Sequence, residues 1–239
     1  MNPTTLSRLL DLNRQFYQTF ALQFSATRSH VQPGVLRILE QVHPSASLLD
    51  LGCGNGGLAR QLSIRGYLGT YTGLDFSPTL LAQASTGQLP NFCFLQADLS
   101  GNDWDTSLHG ERYNAILAFA VLHHLPGVEL RLQVLHKVRP LLAPGGRFIH
   151  SEWQFLNSPR LAARVQPWEV IGLSPQEVDP GDYLLDWRQG GQGLRYVHHF
   201  SEPELDELAV EAGFEIVETF SSDGENHHMG LYQVWRVVE

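Results

Sequence analysis

The run Leu48-Leu49-Asp50-Leu51-Gly52-Cys53-Gly54-Asn55-Gly56-Gly57 decides the fold. Leu48, Leu49 and Leu51 suit a strand covered on both faces, as in a parallel sheet. The glycines remove the Cβ atoms that would keep a ligand off the backbone. The helix that starts at Leu58-Ala59-Arg60 then offers its N-terminal N–H groups. Strand, glycine turn and helix in this order predict a site for a ligand of nucleotide-like shape.

Two ligands fit such a turn. Gly52-x-Gly54-x-x-Gly57 matches the dinucleotide fingerprint, and Asp75 follows about 20 residues on, where a ribose-binding acid belongs. Asp50 argues the other way, because it would face the negative charge of a pyrophosphate. No basic residue between Leu48 and Ala59 offsets it. S-adenosylmethionine carries a sulfonium and an ammonium and no phosphate, so an acid at this place suits it. The turn alone leaves both open.

Outward from the turn, strand and helix alternate. Strands are predicted near 47–51, 70–75, 92–96, 114–119 and 146–151, and helices near 57–65, 78–85 and 129–142. Pro140 makes the end of the last helix uncertain, and Pro144-Gly145-Gly146 marks a turn before the fifth strand. This rhythm predicts an α/β protein with a mostly parallel sheet and helices on both faces. Upstream, Leu6, Leu9, Leu10, Phe16, Phe20 and Phe24 predict an N-terminal helix, and Val35, Leu36, Ile38 and Leu39 a second one. Downstream, Ser201 and Gly213 bracket a helix over 202–212, with closing strands near 214–220 and 230–237. Residues 152–200 break the rhythm with four prolines and the run Gly190-Gly191-Gln192-Gly193. They are too poor in aliphatics for a core of their own. The chain therefore reads as one domain over 1–239, with a helical segment 1–44 and an insertion or lid at 152–200.

Composition narrows the partners. The net charge of −9 over 239 residues disfavours broad electrostatic contact with nucleic acid. Fifteen of the 16 basic residues are arginine, so an anion clamp here is built from forked guanidinium groups. No apolar run approaches the roughly 18 residues of a membrane helix, and no signal peptide is visible. With Cys53 and Cys93 as the only cysteines, a reduced, cytoplasmic protein is expected. The paired histidines 123–124, 198–199 and 227–228 read as diverging neighbours on extended chain, and no metal site is expected.

Residues 47–151 resemble the class I S-adenosylmethionine-dependent methyltransferases, a Rossmann-like seven-stranded fold, motif by motif. Leu49 to Gly56 resembles their first motif, which implies cofactor contact for Asp50, Gly52, Cys53, Gly54 and Asn55. Gly73-Leu74-Asp75-Phe76-Ser77 resembles the second, in which the acid receives the ribose hydroxyls. A carboxylate can accept both bonds of a vicinal diol. Gln96-Ala97-Asp98-Leu99 resembles the third, which implies that Asp98 takes the adenine amino group and Leu99 flanks the ring. The segment from Ala118 to Leu125, with Phe119, Ala120, His123 and His124, resembles the one that borders the methyl-transfer site.

A second resemblance reaches both ends of the chain. Phe16-Tyr17 and Phe24-Ser25-Ala26-Thr27-Arg28 resemble the N-terminal segment of the wobble-uridine tRNA carboxyl methyltransferases, the type fused to an AlkB-like oxygenase. Gly181 to Arg188 and Arg195-Tyr196-Val197-His198-His199-Phe200 resemble their later segments. Asp186 and Val197 depart from that pattern. The resemblance implies Tyr17, Phe24 and Arg28 at the cofactor and a carboxylate of a tRNA base as acceptor. A small metabolite is the alternative acceptor, with the lid as its pocket.

An ionised carboxylate needs no general base. Arg195 or Arg28 would hold it in a forked pair while Tyr196 or His198 donates a hydrogen bond. A hydroxyl or amine acceptor would instead need a base, drawn from His123, His124 or His198. On an extended segment Arg195 and His198 face opposite ways, so at most one turns inward, and Arg195 is the choice.

Overall fold

The computed structural model describes residues 1–27, 30–87, 90–108 and 110–238. The chain opens with α1 (Pro3–Ala26) and α2 (Pro33–Gln41), followed by β1 (Ser47–Leu51), α3 (Gly57–Ile64), β2 (Thr70–Asp75), α4 (Pro78–Ala84) and β3 (Phe92–Gln96). It continues through β4 (Tyr113–Phe119), α5 (Val128–Leu141) and β5 (Leu142–Trp153). The stretch that follows carries α6 (Pro159–Ala162), β6 (Val165–Gln166), β7 (Asp182–Trp187) and β8 (Gly193–His198). It closes with α7 (Glu202–Glu211), β9 (Phe214–Ser222) and β10 (Gly230–Val237).

Seven strands form one sheet in the order β3-β2-β1-β4-β5-β10-β9. The first five are parallel, and β10 runs antiparallel to both β5 and β9. This is the Rossmann-like class I methyltransferase fold. Alternation along β1 sends Leu49 and Leu51 to one face, where they pack with Val134 and Val138 of α5 and Leu205 and Leu208 of α7. Leu48 faces the other way, onto Val35 and Ile38 of α2 and Leu58 and Leu62 of α3. Each such fully buried aliphatic side chain contributes roughly 1.5–3 kcal/mol.

β5 starts earlier than its pattern predicts. Leu142 pairs with Tyr113, but the next partner of β4 is Arg147, opposite Ala115. The Pro144-Gly145-Gly146 turn is thus an excursion inside the strand, with Gly145 at φ +73°. Pro140 sits in the last turn of α5 without ending it.

The irregular stretch holds a second, three-stranded antiparallel sheet, β6-β7-β8, that the sequence pattern missed. Its shortage of aliphatics is met by α1. Leu9 packs with Trp168, Leu173, Leu184 and Tyr196, and Phe16, Tyr17 and Phe20 pack with Trp187. Asn13 of α1 binds β8 as a strand would. Its Oδ1 accepts from the Tyr196 amide at 2.8 Å and its Nδ2 donates to the Tyr196 carbonyl at 3.2 Å. α1 starts at the Asn2 cap, where Oδ1 accepts from Thr5 N–H at 2.9 Å, and bends at Phe20. No described helix is long and apolar enough to cross a membrane.

Candidate active site

A cavity of about 500 Å³ opens at the C-terminal ends of β1, β2 and β4, between the sheet edge and α1. Open α/β sheets bind ligands at this edge. The glycine turn forms its floor. Gly52 has φ +69°, and a Cβ there would lie 2.7 Å from Val121, whereas a Cβ on Gly54 (φ +56°) would meet nothing within 4 Å. The first glycine is needed for packing. At the second, φ forces the choice and the wall stays open.

Among the acids that line the cavity, Asp75, Asp98 and Asp50 are each held differently. Asp75 accepts from Gly54 N–H at 2.9 Å and Ser77 N–H at 2.8 Å, which ties the glycine turn to the start of α4. Burial pushes its carboxyl up, against the pull of these amides. Asp98 accepts from the Ser100 amide at 3.0 Å, the Ser100 hydroxyl at 2.6 Å and Arg14 Nε at 2.9 Å. Burial opposes ionisation there, but Ser100 and Arg14 together hold the carboxyl below its usual range. Among the described residues, Asp50 accepts the Tyr71 hydroxyl alone, at 2.5 Å. Its burial, with the nearby charge of Asp75, pushes it up to about 7 although the tyrosine opposes this.

The wall beside β4 is strained. Ala120 has φ +59°, held by its N–H to the Ser151 carbonyl at 2.9 Å. Left-handed backbone at a residue with a Cβ costs of the order of 1 kcal/mol and concentrates at functional sites. The chain then makes a 3-10 turn over Leu122–His124. His123 and His124 are therefore not on extended backbone, as expected from sequence, and their rings lie side by side at 4.4 Å.

Of the residues singled out from sequence, Tyr17, Phe24, Asp50, Gly52, Cys53, Gly54 and Asn55 line this cavity. So do Asp75, Phe76, Ala97, Asp98, Leu99, Phe119, Ala120, His123, His124 and Arg195. Ser77 does not. Its hydroxyl caps α4 by accepting from Leu80 N–H. Arg28 lies outside the described residues. Arg195 is buried, its guanidinium carbon 4.8 Å from the Trp153 ring, 5.4 Å from Phe16 and 5.8 Å from Trp187.

Tyr196 and His198 are the correction. Alternation along β8 turns them away from the cavity. The Tyr196 hydroxyl donates to Asp182 at 2.7 Å, and His198 bridges Asp182 and Glu204 at 2.7 Å each. Arg131 of α5 completes this buried network by donating to the Tyr196 hydroxyl at 3.2 Å. It fastens the small sheet to α5 and α7.

Sequence reasoning missed Asn13, Arg14 and Ser25 of α1, and Glu152, Trp153 and Tyr232 in the same wall. Tyr17 donates to or accepts from His124 Nε2 at 2.8 Å, and Asn55 Nδ2 donates to Ser25 at 2.7 Å. The position of Glu152, one residue past a predicted strand end, was the only signal of this group.

The methyltransferase domain family matches residues 24–219. The chain belongs to the methyltransferase domain family. It is an S-adenosylmethionine-dependent methyltransferase. The tRNA (carboxymethyluridine(34)-5-O)-methyltransferase of Schizosaccharomyces pombe is 26% identical over 221 residues, covering 85% of this chain and 89% of that protein. The 2-heptyl-1-hydroxyquinolin-4(1H)-one methyltransferase of Mycobacteroides abscessus is 34% identical over 122 residues, covering 49% of this chain and 51% of that protein. Among solved structures, the DhpI–SAM–HEP complex shares the fold with a TM-score of 0.70 at 23% identity, covering 95% of this chain and 97% of that one.

Proposed function

We propose that this methyltransferase esterifies a carboxylate on a small organic acceptor, and that Arg195 holds that carboxylate. The observation that carries the reading is the buried Arg195 guanidinium in the wall of the cavity, framed by Trp153, Phe16 and Trp187. In such low-dielectric surroundings a forked cation orients an anion with both oxygens engaged.

In this reading Asp75 receives the cofactor's ribose hydroxyls and Asp98 its adenine amino group. The Gly52–Gly54 turn approaches the methionine part, and Asp50 faces the cofactor's positive charges. When bound, S-adenosylmethionine would supply its methyl group to a carboxylate oxygen, the C–S electron pair remaining on sulfur. No proton moves, so the enzyme mainly aligns the reactants and excludes water.

The small acceptor is favoured by the cover. Phe16, Tyr17, Phe20, Phe24, Phe76 and Trp187 pack as one aromatic cluster, of which Tyr17, Phe24 and Phe76 line the cavity. Arg14, the other arginine in the described wall, is engaged by Asp98 and Asp11. A tRNA backbone calls for a row of available cations instead. The second reading, a carboxylate on a tRNA wobble uridine, is supported by the near-full-length relative of Schizosaccharomyces pombe. It is also supported by the motifs around Phe16–Thr27 and Arg195–Phe200.

The test supplies labelled S-adenosylmethionine with a small-metabolite extract and, separately, with total tRNA. Ester formation predicts label that mild alkali releases as methanol. Alkali-stable product from both pools would overturn the carboxylate assignment.

A further inference from the structure

The loop between β9 and β10 reaches the start of α2. Asp223, the first residue after β9, is buried, lines the cavity and has φ +68°. Left-handed backbone is costly at a residue with a Cβ and persists where the surroundings over-determine it. Two bonds do so here. Asp223 Oδ1 accepts the Gly34 N–H at 2.9 Å, and Oδ2 accepts the Tyr232 hydroxyl at 2.6 Å. Burial and then the charge of Asp223 push the Tyr232 phenol up, so it stays a donor.

Gly34 is the second residue of α2. A helix leaves its first amides without partners, and the N-cap side chain usually accepts from one of them. Gln32 stands at that place and makes no such bond among the described residues. The acceptor is instead Asp223, 189 positions away, a carboxylate at the positive end of the helix. Glycine is required for this approach, because a Cβ on Gly34 would lie 2.4 Å from the Tyr232 ring. The contact ties together two pieces of the cavity wall: Val31 and Val35 around the start of α2, and Met229 and Tyr232 around the start of β10.

This wall lies on the side of Arg195. Asp75 and Asp98 stand at the ends of β2 and β3, to one side of β1, whereas β10 lies on the other side, beyond β4 and β5. Gly230 of β10 pairs with Trp153, whose ring sits under the Arg195 guanidinium. We propose that Asp223 is a positioning residue for the methyl acceptor: by clasping α2 to β10, it fixes the wall of Val31, Val35 and Tyr232 against which the acceptor lies. Placing the acceptor there rests on the Arg195 reading above, whereas the clasp does not.

Asp223→Gly keeps the left-handed backbone without strain and deletes both bonds. Amide exchange at Gly34, followed by nuclear magnetic resonance, should speed up about tenfold or more. Affinity for S-adenosylhomocysteine, measured by calorimetry, should stay within about twofold. The rate at limiting acceptor should fall about tenfold and recover as the acceptor is concentrated, in whichever pool the wild type methylates, metabolite extract or total tRNA. Asp223→Asn can still accept from Gly34 and should recover most of that loss. Adding Gln32→Ser to Asp223→Gly gives α2 a cap of its own. The double variant should regain slow exchange without regaining the rate, because α2 is then capped but not tied to β10. Unchanged exchange in Asp223→Gly, a rate restored by the added serine, or a loss of S-adenosylhomocysteine affinity as large as the loss of rate overturns the proposal. Methylation of tRNA alone would overturn the small-acceptor reading and leave the clasp standing, since exchange and cofactor affinity are read without any acceptor.

Discussion

The two walls of the cavity are built on different principles. On the sheet side, acids are fixed by backbone amides close by in sequence or at the next strand end. Asp75 is held by Gly54 and Ser77, and Asp98 by Ser100. On the covering side, side chains are held by remote ones. Tyr17 meets His124, Arg14 meets Asp98, and Asn13 meets Tyr196 across 183 positions of chain. The sheet side keeps its form through local geometry, whereas the cover exists only when distant segments have already met.

The sharpest way to break this contrast is to cut the cover's anchor. Asp182 accepts from the Tyr196 hydroxyl and lies against His198, both buried. Asp182→Ala removes the shared acceptor of both, leaving them only Arg131 and Glu204, and should cost about 3–5 kcal/mol, the usual loss when one member of a buried charged network is removed. Urea unfolding measures it, and limited proteolysis should cut first within residues 152–200. An unchanged midpoint with a protected insertion would mean that the apolar packing on α1 holds the cover by itself.

The sheet side should fail differently. Asp75→Ala removes the carboxylate proposed to take the ribose and releases two amides. The expected loss is about 1–3 kcal/mol in cofactor affinity, measured by calorimetry, with the fold retained. Unchanged affinity would remove Asp75 from the cofactor site. Arg195→Ala probes the cover's own chemistry. Turnover should fall at least tenfold, about 1.4 kcal/mol, while cofactor affinity stays nearly constant. Arg195→Lys should not restore it, since an ammonium lacks the planar fork. A fall in cofactor affinity as large as the fall in rate would assign Arg195 to the wrong ligand.

The same contrast explains what the sequence could say. The core strands and helices are legible because alternation, helical spacing and glycine or proline turns are local signals. β1 and β2 fall on their predicted bounds. The small sheet was illegible because it packs on Leu9, Phe16, Tyr17 and Phe20 of α1, more than 150 positions away. Strand alternation separated Arg195 from His198, and Arg195 is the one of the two in the cavity lining. The motif Arg195-Tyr196-Val197-His198, read as one site, did not survive it, since adjacent residues of β8 serve opposite faces. His123 and His124 were misjudged for the converse reason. A 3-10 turn replaced the assumed extended chain and brought the rings together. Glu152 needed the third dimension, because nothing in its neighbourhood of sequence announces that His123 and His150 converge on it.

The smallest expected effect concerns Asp50, which among the described residues is held by the Tyr71 hydroxyl and by no backbone amide. Burial and Asp75 push it up to about 7, so much of it is protonated in the empty site at neutral pH. A raised carboxyl is ionised in the unfolded chain from about pH 4 upward but stays protonated in the folded one up to about 7. Between those values the unfolded state binds fewer protons, so this group's contribution to stability is present at low pH and is lost as pH rises through the window. A cationic ligand reverses the preference, because it favours the ionised form. Binding of S-adenosylmethionine should therefore release a proton, and affinity should rise with pH up to about 7 by at most tenfold per pH unit. Asp50→Asn should flatten that dependence and raise the Tm of the cofactor-free protein at pH 8. S-adenosylhomocysteine, which lacks the sulfonium charge, should show the weaker pH dependence in the wild type. Calorimetry in two buffers of different ionisation enthalpy counts the released protons directly. A count of zero at pH 6.5 would mean that Asp50 is already ionised in the empty site.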